Sequence, residues 1–282
     1  MRWFAIDLDG TLLNKKRQIS EANRTAIKRR QNQGDVVVIV TGRAAFDAQR
    51  ILEQHGLDCP VIGANGAEIE IGNPKRHFLN RSSSRTIWEI VRSTNVFIHI
   101  YLQDRILLPR YSLAGLQGGG SAFQEAIQAQ VTQQGVETVD VITVDQLDII
   151  KFMFVSADQL QLAQLEQQLL QVQSCSVTRS GAFNLEVMAS GVTKGSAVQG
   201  ITRAYGIALE DVVAIGDNQN DLPMFEVAGT SIAMGNAEAS VKKGATYVTC
   251  DHDEDGVAEA LNNLEQWERN KEEQHGEHLG YR

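Results

Sequence analysis

The sequence predicts an α/β protein in which a doubly wound parallel sheet is interrupted by an inserted α+β domain. Two observations carry that prediction. Short apolar runs at residues 3–6, 36–40, 60–63 and 212–215 are bounded by turn signals and separated by helix-period stretches, the pattern of parallel strands covered by helices on both faces. Between residues 81 and 187 the pattern changes to helices and strands alternating around a glutamine-rich segment. The expected organisation is a core built from residues 1–80 and 188–282 with the insertion at 81–187.

Taken in order, the run Trp3-Phe4-Ala5-Ile6 is cut short by Asp7, so it reads as a strand and not as a signal peptide. Residues 20–33 have helical periodicity and open on Ser20, whose hydroxyl suits an N-cap. The runs at 36–40 and 60–63 are the second and third strands. Asn80-Arg81-Ser82-Ser83-Ser84 reads as a polar, linker-like break. After it come a helix at 86–93, strands at 97–102 and 149–155, a helix at 158–171 and a strand at 183–188. Gly118-Gly119-Gly120 lacks the Lys-Ser/Thr that would complete a phosphate loop, and a flexible surface loop is expected there. The chain returns through Ala189-Ser190-Gly191-Val192-Thr193, and Lys194 opens a helix running to Tyr205. Beyond Trp267 the charged, polar sequence is expected to be a frayed helix end or tail.

Composition narrows the function. Hydrophobic residues make up 43% and charged residues 22% of the 282 residues, ordinary for a folded domain. A net charge of −9 argues against a sequence-independent grip on nucleic acid or an anionic membrane. No apolar run reaches the ~18 residues of a membrane span. Cys59, Cys175 and Cys250 are odd in number and far apart, which disfavours a disulfide framework and points to a reducing cytoplasm. Residues 1–50 hold ten Lys/Arg against five Asp/Glu, while 201–282 hold six against sixteen, a difference that matters only if the two ends meet.

The residues with chemical potential cluster at strand ends. Asp7-Leu8-Asp9-Gly10-Thr11 follows the first strand and sets two carboxylates at its carboxyl end, where the ligands of such sheets bind. Thr41-Gly42-Arg43 follows the second strand and offers a hydroxyl and unhindered backbone N–H groups to an anion. Lys194 opens a helix, so its ammonium can join the positive end of the helix dipole at a phosphate. Gly216-Asp217-Asn218-Gln219-Asn220-Asp221 follows the fourth strand. Its carboxylates and amide oxygens suit a hard cation such as Mg²⁺.

Together these four segments resemble the haloacid dehalogenase (HAD) superfamily, and within it the Cof-type sugar-phosphatase branch. Asn65-Gly66-Ala67, Gly191-Val192-Thr193-Lys194-Gly195, Ala233-Met234-Gly235-Asn236-Ala237 and Asp253-Glu254-Asp255-Gly256-Val257-Ala258 support the likeness. The resemblance implies a HAD-like core, the insertion as a large α+β cap, and Mg²⁺-dependent hydrolysis of phosphate monoesters of small metabolites. Sugar phosphates lead as the expected substrates, followed by nucleotide monophosphates and phosphorylated cofactors. It implies Asp7 as nucleophile forming an aspartyl-phosphate, and Asp9 as general acid and base. Mg²⁺ would be held by the Asp7 carboxylate, the Asp9 backbone carbonyl and Asp217, with Asp221 in support. Leu8 and Gly42 through their backbones, with Thr41, Lys194 and Asn220, would bind the phosphoryl oxygens. Two rival readings remain: a phosphomutase that returns the phosphoryl group to a sugar, and a sensor that binds phosphorylated ligands without turnover.

Other residues carry less. His275 and His278 lie in the polar tail and are expected to be solvated, and His252 is expected in a loop preceding a helix. Asn65 is either a turn residue or a substrate contact at the cleft. Lys15-Lys16-Arg17 reads either as a solvated face or as charge that helps draw phosphorylated substrates in, and the solvated face is the favoured expectation.

Overall fold

A computed structural model describes residues 1–279 as an eight-stranded and a six-stranded sheet with helices against them. Strand β1 (Trp3–Ile6) is followed by α1 (Glu21–Asn32), β2 (Val36–Val40), α2 (Ala45–Gln54), β3 (Val61–Gly63), β4 (Glu68–Glu70) and β5 (Lys75–Arg76). The Ser20 hydroxyl accepts the Asn23 amide at 3.1 Å and starts α1 as expected. β1 and β2 are buried along their length, apart from the half-buried Val36. Each fully buried Val or Ile of this kind contributes about 1.5–3 kcal/mol by leaving water.

The second sheet is made by α3 (Arg81–Val91), β6 (Phe97–Tyr101), β7 (Ile106–Pro109), α4 (Gly120–Gln134), β8 (Glu137–Val139), β9 (Lys151–Val155), α5 (Gln159–Leu169), β10 (Cys175–Thr178) and β11 (Asn184–Ala189). Its order is β10-β11-β9-β6-β7-β8. β11 runs two residues past position 187 because Ala189 still pairs with Cys175. Two expectations need correction. The polar stretch at 80–84 is not a linker: Asn80 caps α3 by accepting the Ser83 amide at 2.8 Å, and Ser84 is buried. Gly118-Gly119-Gly120 is not a loop either, since Arg110–Gly119 forms 3₁₀ turns that lead into α4. A Cβ on Gly119 would collide with the Phe123 ring, so the glycine permits close packing.

The chain then re-enters the first sheet through α6 (Lys194–Tyr205), β12 (Val212–Gly216), α7 (Leu222–Val227), β13 (Thr230–Ala233), α8 (Ala239–Lys243), β14 (Tyr247–Val248) and α9 (Gly256–Leu279). The first sheet is ordered β14-β13-β12-β1-β2-β3-β4-β5, parallel from β14 to β3 and antiparallel beyond. From β1 the chain proceeds to β2 and β3 on one side and to β12, β13 and β14 on the other, so the order reverses beside β1. That reversal opens a crevice at the carboxyl ends of β1 and β12. The ends of the chain do meet: Arg2 pairs with Glu268 at 2.7 Å, Arg30 with Glu265 at 2.5 Å and Lys15 with Asp253 at 2.9 Å. The stretch beyond Trp267 continues α9 to Leu279. Among the described residues no helix is long and apolar enough to cross a membrane.

Candidate active site

Asp7 leaves β1 and Asp217 leaves β12, so neighbouring strands deliver two carboxylates to the crevice. Between them Gly10 takes a φ of +78°, and a Cβ there would collide with the Asp217 carboxylate. Only glycine lets the turn pass this close. Thr11 then donates from Oγ1 to Asp217 Oδ1 at 2.9 Å. Asp221, from the turn after β12, accepts the backbone amides of Asp217 and Asn218 at 2.8 and 2.9 Å on one oxygen. Its other oxygen accepts from Lys194 Nζ at 2.6 Å, and the same ammonium donates to Asp7 Oδ1 at 2.6 Å.

Lys194 is the first residue of α6, placed there by a capping box between Thr193 and Ser196. Burial opposes its charge, but Asp221 and Asp7 outweigh burial and hold its pKa above the ordinary lysine value. Burial, with the charges of Asp221 and Asp217, raises Asp7 well above the ordinary carboxyl range in spite of Lys194. Burial and Asp221 push Asp217 up to about 6. One carboxylate oxygen each from Asp7, Asp217 and Asp221 lie within 4.8 Å of one another. Three crowded acids against one ammonium are short of positive charge, and their oxygen-only donors fit a hard divalent cation such as Mg²⁺. Asp221 already accepts three hydrogen bonds, so Asp7 and Asp217 are the pair left to face it.

Asp9 points differently. Its half-exposed carboxylate is clasped by Arg43 through two hydrogen bonds of 2.6 Å. Against the cost of enclosure by protein, the guanidinium holds Asp9 below its ordinary value. Arg43 is fixed from behind by buried Asp47 at 2.8 Å. Its backbone amide donates to Thr41 Oγ1 at 3.1 Å, leaving the threonine O–H to donate elsewhere.

Asp7, Asp9, Thr41, Gly42 and Asn220 share the wall of a cavity of about 220 Å³ with Tyr101, Gln134, Lys151, Met153 and Glu186 of the second sheet and its helices. Of the other sequence-predicted residues, Leu8, Lys194 and Asp217 do not line this cavity, though Lys194 and Asp217 stand beside Asp7. Leu8 is buried in the apolar core, so its backbone alone remains for a ligand. Lys194 is almost wholly buried and bonded to two carboxylates. Arg17 departs from its expectation, because it lines the cavity instead of a solvated face. Asn65 is buried with a φ of 56° and bonds both Glu186 and Asn220, so it is more than a turn residue. His252 sits before α9 as expected, its Nδ1 2.8 Å from the Leu13 carbonyl oxygen. His275 and His278 fall within α9, and their side chains lie outside the described residues.

Sequence reading missed Arg43 as a partner of Asp9, and Tyr101, Gln134, Lys151 and Glu186 on the opposite wall. For Lys151 and Glu186 a signal existed: each is a lone charge inside an apolar strand, Ile150-Lys151-Phe152 and Leu185-Glu186-Val187, where only a paired or functional charge is tolerated.

A model of the haloacid dehalogenase-like hydrolases matches residues 4–261. The chain belongs to the haloacid dehalogenase-like hydrolase family. It is 35% identical over 282 residues to the 5-amino-6-(5-phospho-D-ribitylamino)uracil phosphatase YwtE of Bacillus subtilis, covering 94% of this chain and 98% of that protein. A second B. subtilis relative, the 5-amino-6-(5-phospho-D-ribitylamino)uracil phosphatase YcsE, is 30% identical over 264 residues, 93% of this chain and 94% of that one. Among solved structures, a haloacid dehalogenase-like hydrolase from B. subtilis superposes with a TM-score of 0.83 at 29% identity, covering 94% of this chain and all of that one, 100%. The fold is thus that of the haloacid dehalogenase-like hydrolases.

Proposed function

We propose that the protein is a Mg²⁺-dependent phosphatase that hydrolyses phosphate monoesters of small metabolites, sugar and polyol phosphates foremost, through an aspartyl-phosphate. The observation that carries this reading is the cluster of Asp7, Asp217 and Lys194 at the crevice, where Asp7 lines a cavity that Asp9 also lines. Asp7 attacks phosphorus, forming its own P–O bond as the ester P–O bond breaks. Asp9 gives a proton to the departing oxygen and later takes one from the water that cleaves the aspartyl-phosphate. As a carboxylate clasped by Arg43 it is ready for the second step, while the first requires it to carry the proton, and so to loosen that clasp.

Asp7, the Asp9 backbone carbonyl and Asp217 would hold Mg²⁺, with Asp221 orienting Asp217 and Lys194. Bound there, the ion supplies charge neutralisation to the phosphoryl oxygens. Thr41 Oγ1, the backbone amides of Leu8 and Gly42, Lys194 and Asn220 grip those oxygens as charge develops. Residues 81–187 act as the cap that covers the ester's leaving group. Gln134 Oε1 is buried there without a partner among the described residues and lines the cavity, an acceptor suited to a sugar or polyol hydroxyl. The relatives named for a phosphorylated ribityl compound support that class. Exhaustive chelation should abolish phosphate release from such esters and Mg²⁺ should restore it. Full turnover in metal-free buffer would refute the metal assignment.

A further inference from the structure

The turn that carries Thr41 and Gly42 is held from the opposite sheet. Lys151 of β9 donates from Nζ to the Gly42 carbonyl oxygen at 2.5 Å and pairs with Glu186 of β11 at 3.1 Å. Both side chains are almost wholly buried, and the ammonium stands 4.1 Å from the centre of the Tyr101 ring. Glu186 is satisfied further by the Ser180 hydroxyl and by Asn65 Nδ2, and Asn65 Oδ1 accepts from Asn220 Nδ2 at 3.1 Å. A buried ion pair is a poor adhesive, because desolvation offsets most of the attraction and apolar side chains would join the sheets at least as well. Its distinguishing property is direction. One end fixes the Gly42–Arg43 peptide, whose N–H in turn donates to Thr41 Oγ1 at 3.1 Å. The other end fixes Asn65 and through it Asn220.

We propose that Lys151 and Glu186 are positioning residues for phosphoryl transfer: from the inserted segment they set the Thr41–Gly42 turn and Asn220 in the geometry that grips the phosphoryl oxygens. This rests on the phosphatase reading. It gives the second sheet a part in the hydrolysis of every substrate, whatever the leaving group, beyond choosing among them.

The test compares Lys151→Met, Glu186→Gln and the double variant with the wild-type protein. Three readouts are needed: kcat/KM on p-nitrophenyl phosphate, kcat/KM on a panel of sugar phosphates, and binding of inorganic phosphate by calorimetry in Mg²⁺. The double variant matters because it removes both charges and leaves no unpaired ion to unfold the protein; thermal unfolding checks that it is folded. Positioning predicts a fall in kcat/KM of about 10–100-fold, similar for aryl and sugar phosphates, as a displaced reacting group would give. Phosphate, which has no leaving group, should bind about tenfold more weakly. The double variant should fall no further than the worse single one, because the two residues act as a unit. Unchanged phosphate affinity with a reordered sugar-phosphate ranking would overturn the proposal in favour of leaving-group contact. Full aryl-phosphatase activity in a folded double variant would overturn it in favour of a purely structural pair. If the wild-type protein hydrolysed no ester at all, the phosphatase reading itself would fail, while the phosphate-binding arm would still judge the positioning.

Discussion

Asp7 and Asp9 are two residues apart and meet opposite environments. Asp7 is raised by burial among acids, whereas Asp9 is lowered by Arg43. Asp7→Asn should abolish turnover, because an amide cannot form the covalent intermediate. Asp9→Asn should slow release of sugar alkoxides far more than release of nitrophenolate, which needs little protonation; equal losses, compared as kcat/KM, would contradict its role. Removing the Arg43 clasp should raise the Asp9 pKa, so in Arg43→Gln the alkaline limb of the kcat/KM profile should move to higher pH, a shift read directly from the pH profile. Asp7, Thr41, Lys194 and Asp217 were legible in the sequence because each abuts an apolar strand or opens a helix, and the topology brings those ends together. The Arg43 clasp was not, since a side chain's partner across a turn leaves no trace in periodicity.

At the scale of elements, local chemistry overrode two sequence expectations. The serine-rich start of α3 resembles a linker by composition, yet one Asn80 side chain turns it into a helix start. Asn80→Ala should cost about 1 kcal/mol in chemical denaturation. The short strands β4, β5, β7, β8, β10, β13 and β14 escaped sequence reading because runs of two to four residues carry too little alternation to register. β4 also contains a pH-dependent element. Glu68 accepts the Ala45 amide at 2.8 Å, while its other oxygen is 3.6 Å from Arg76, and burial pushes its pKa up to about 7. A carboxyl raised above its unfolded value binds its proton more tightly when folded. Its contribution is therefore full below the ordinary value of 4.5 and is lost as pH rises through about 7. Urea unfolding from pH 5 to 8 should show stability falling across this window, and Glu68→Gln should flatten that slope.

For the whole molecule, the uneven charge of the sequence becomes a seam between the ends of the chain, where Arg2 and Arg30 face Glu268 and Glu265. The two sheets differ in how they depend on distant sequence. Every pairing of the second sheet lies between Phe97 and Ala189, whereas β1 must find β12 and Thr11 must find Asp217, 206 positions later. A fragment of residues 81–189 should therefore give dispersed amide spectra on its own, and one of residues 1–80 should not. Time of synthesis adds a consequence. At roughly 5–20 residues per second, about 10–40 s separate the emergence of β1 from that of its partner β12. Throughout that interval the future central strand lacks its β12 neighbour, and the inserted sheet, whose last strand ends at Ala189, has all its strands made before that neighbour arrives. Pulse-labelled hydrogen exchange during refolding should protect β6, β9 and β11 before β1, and the first sheet should mature slowly because its decisive pairing is the least local in the chain.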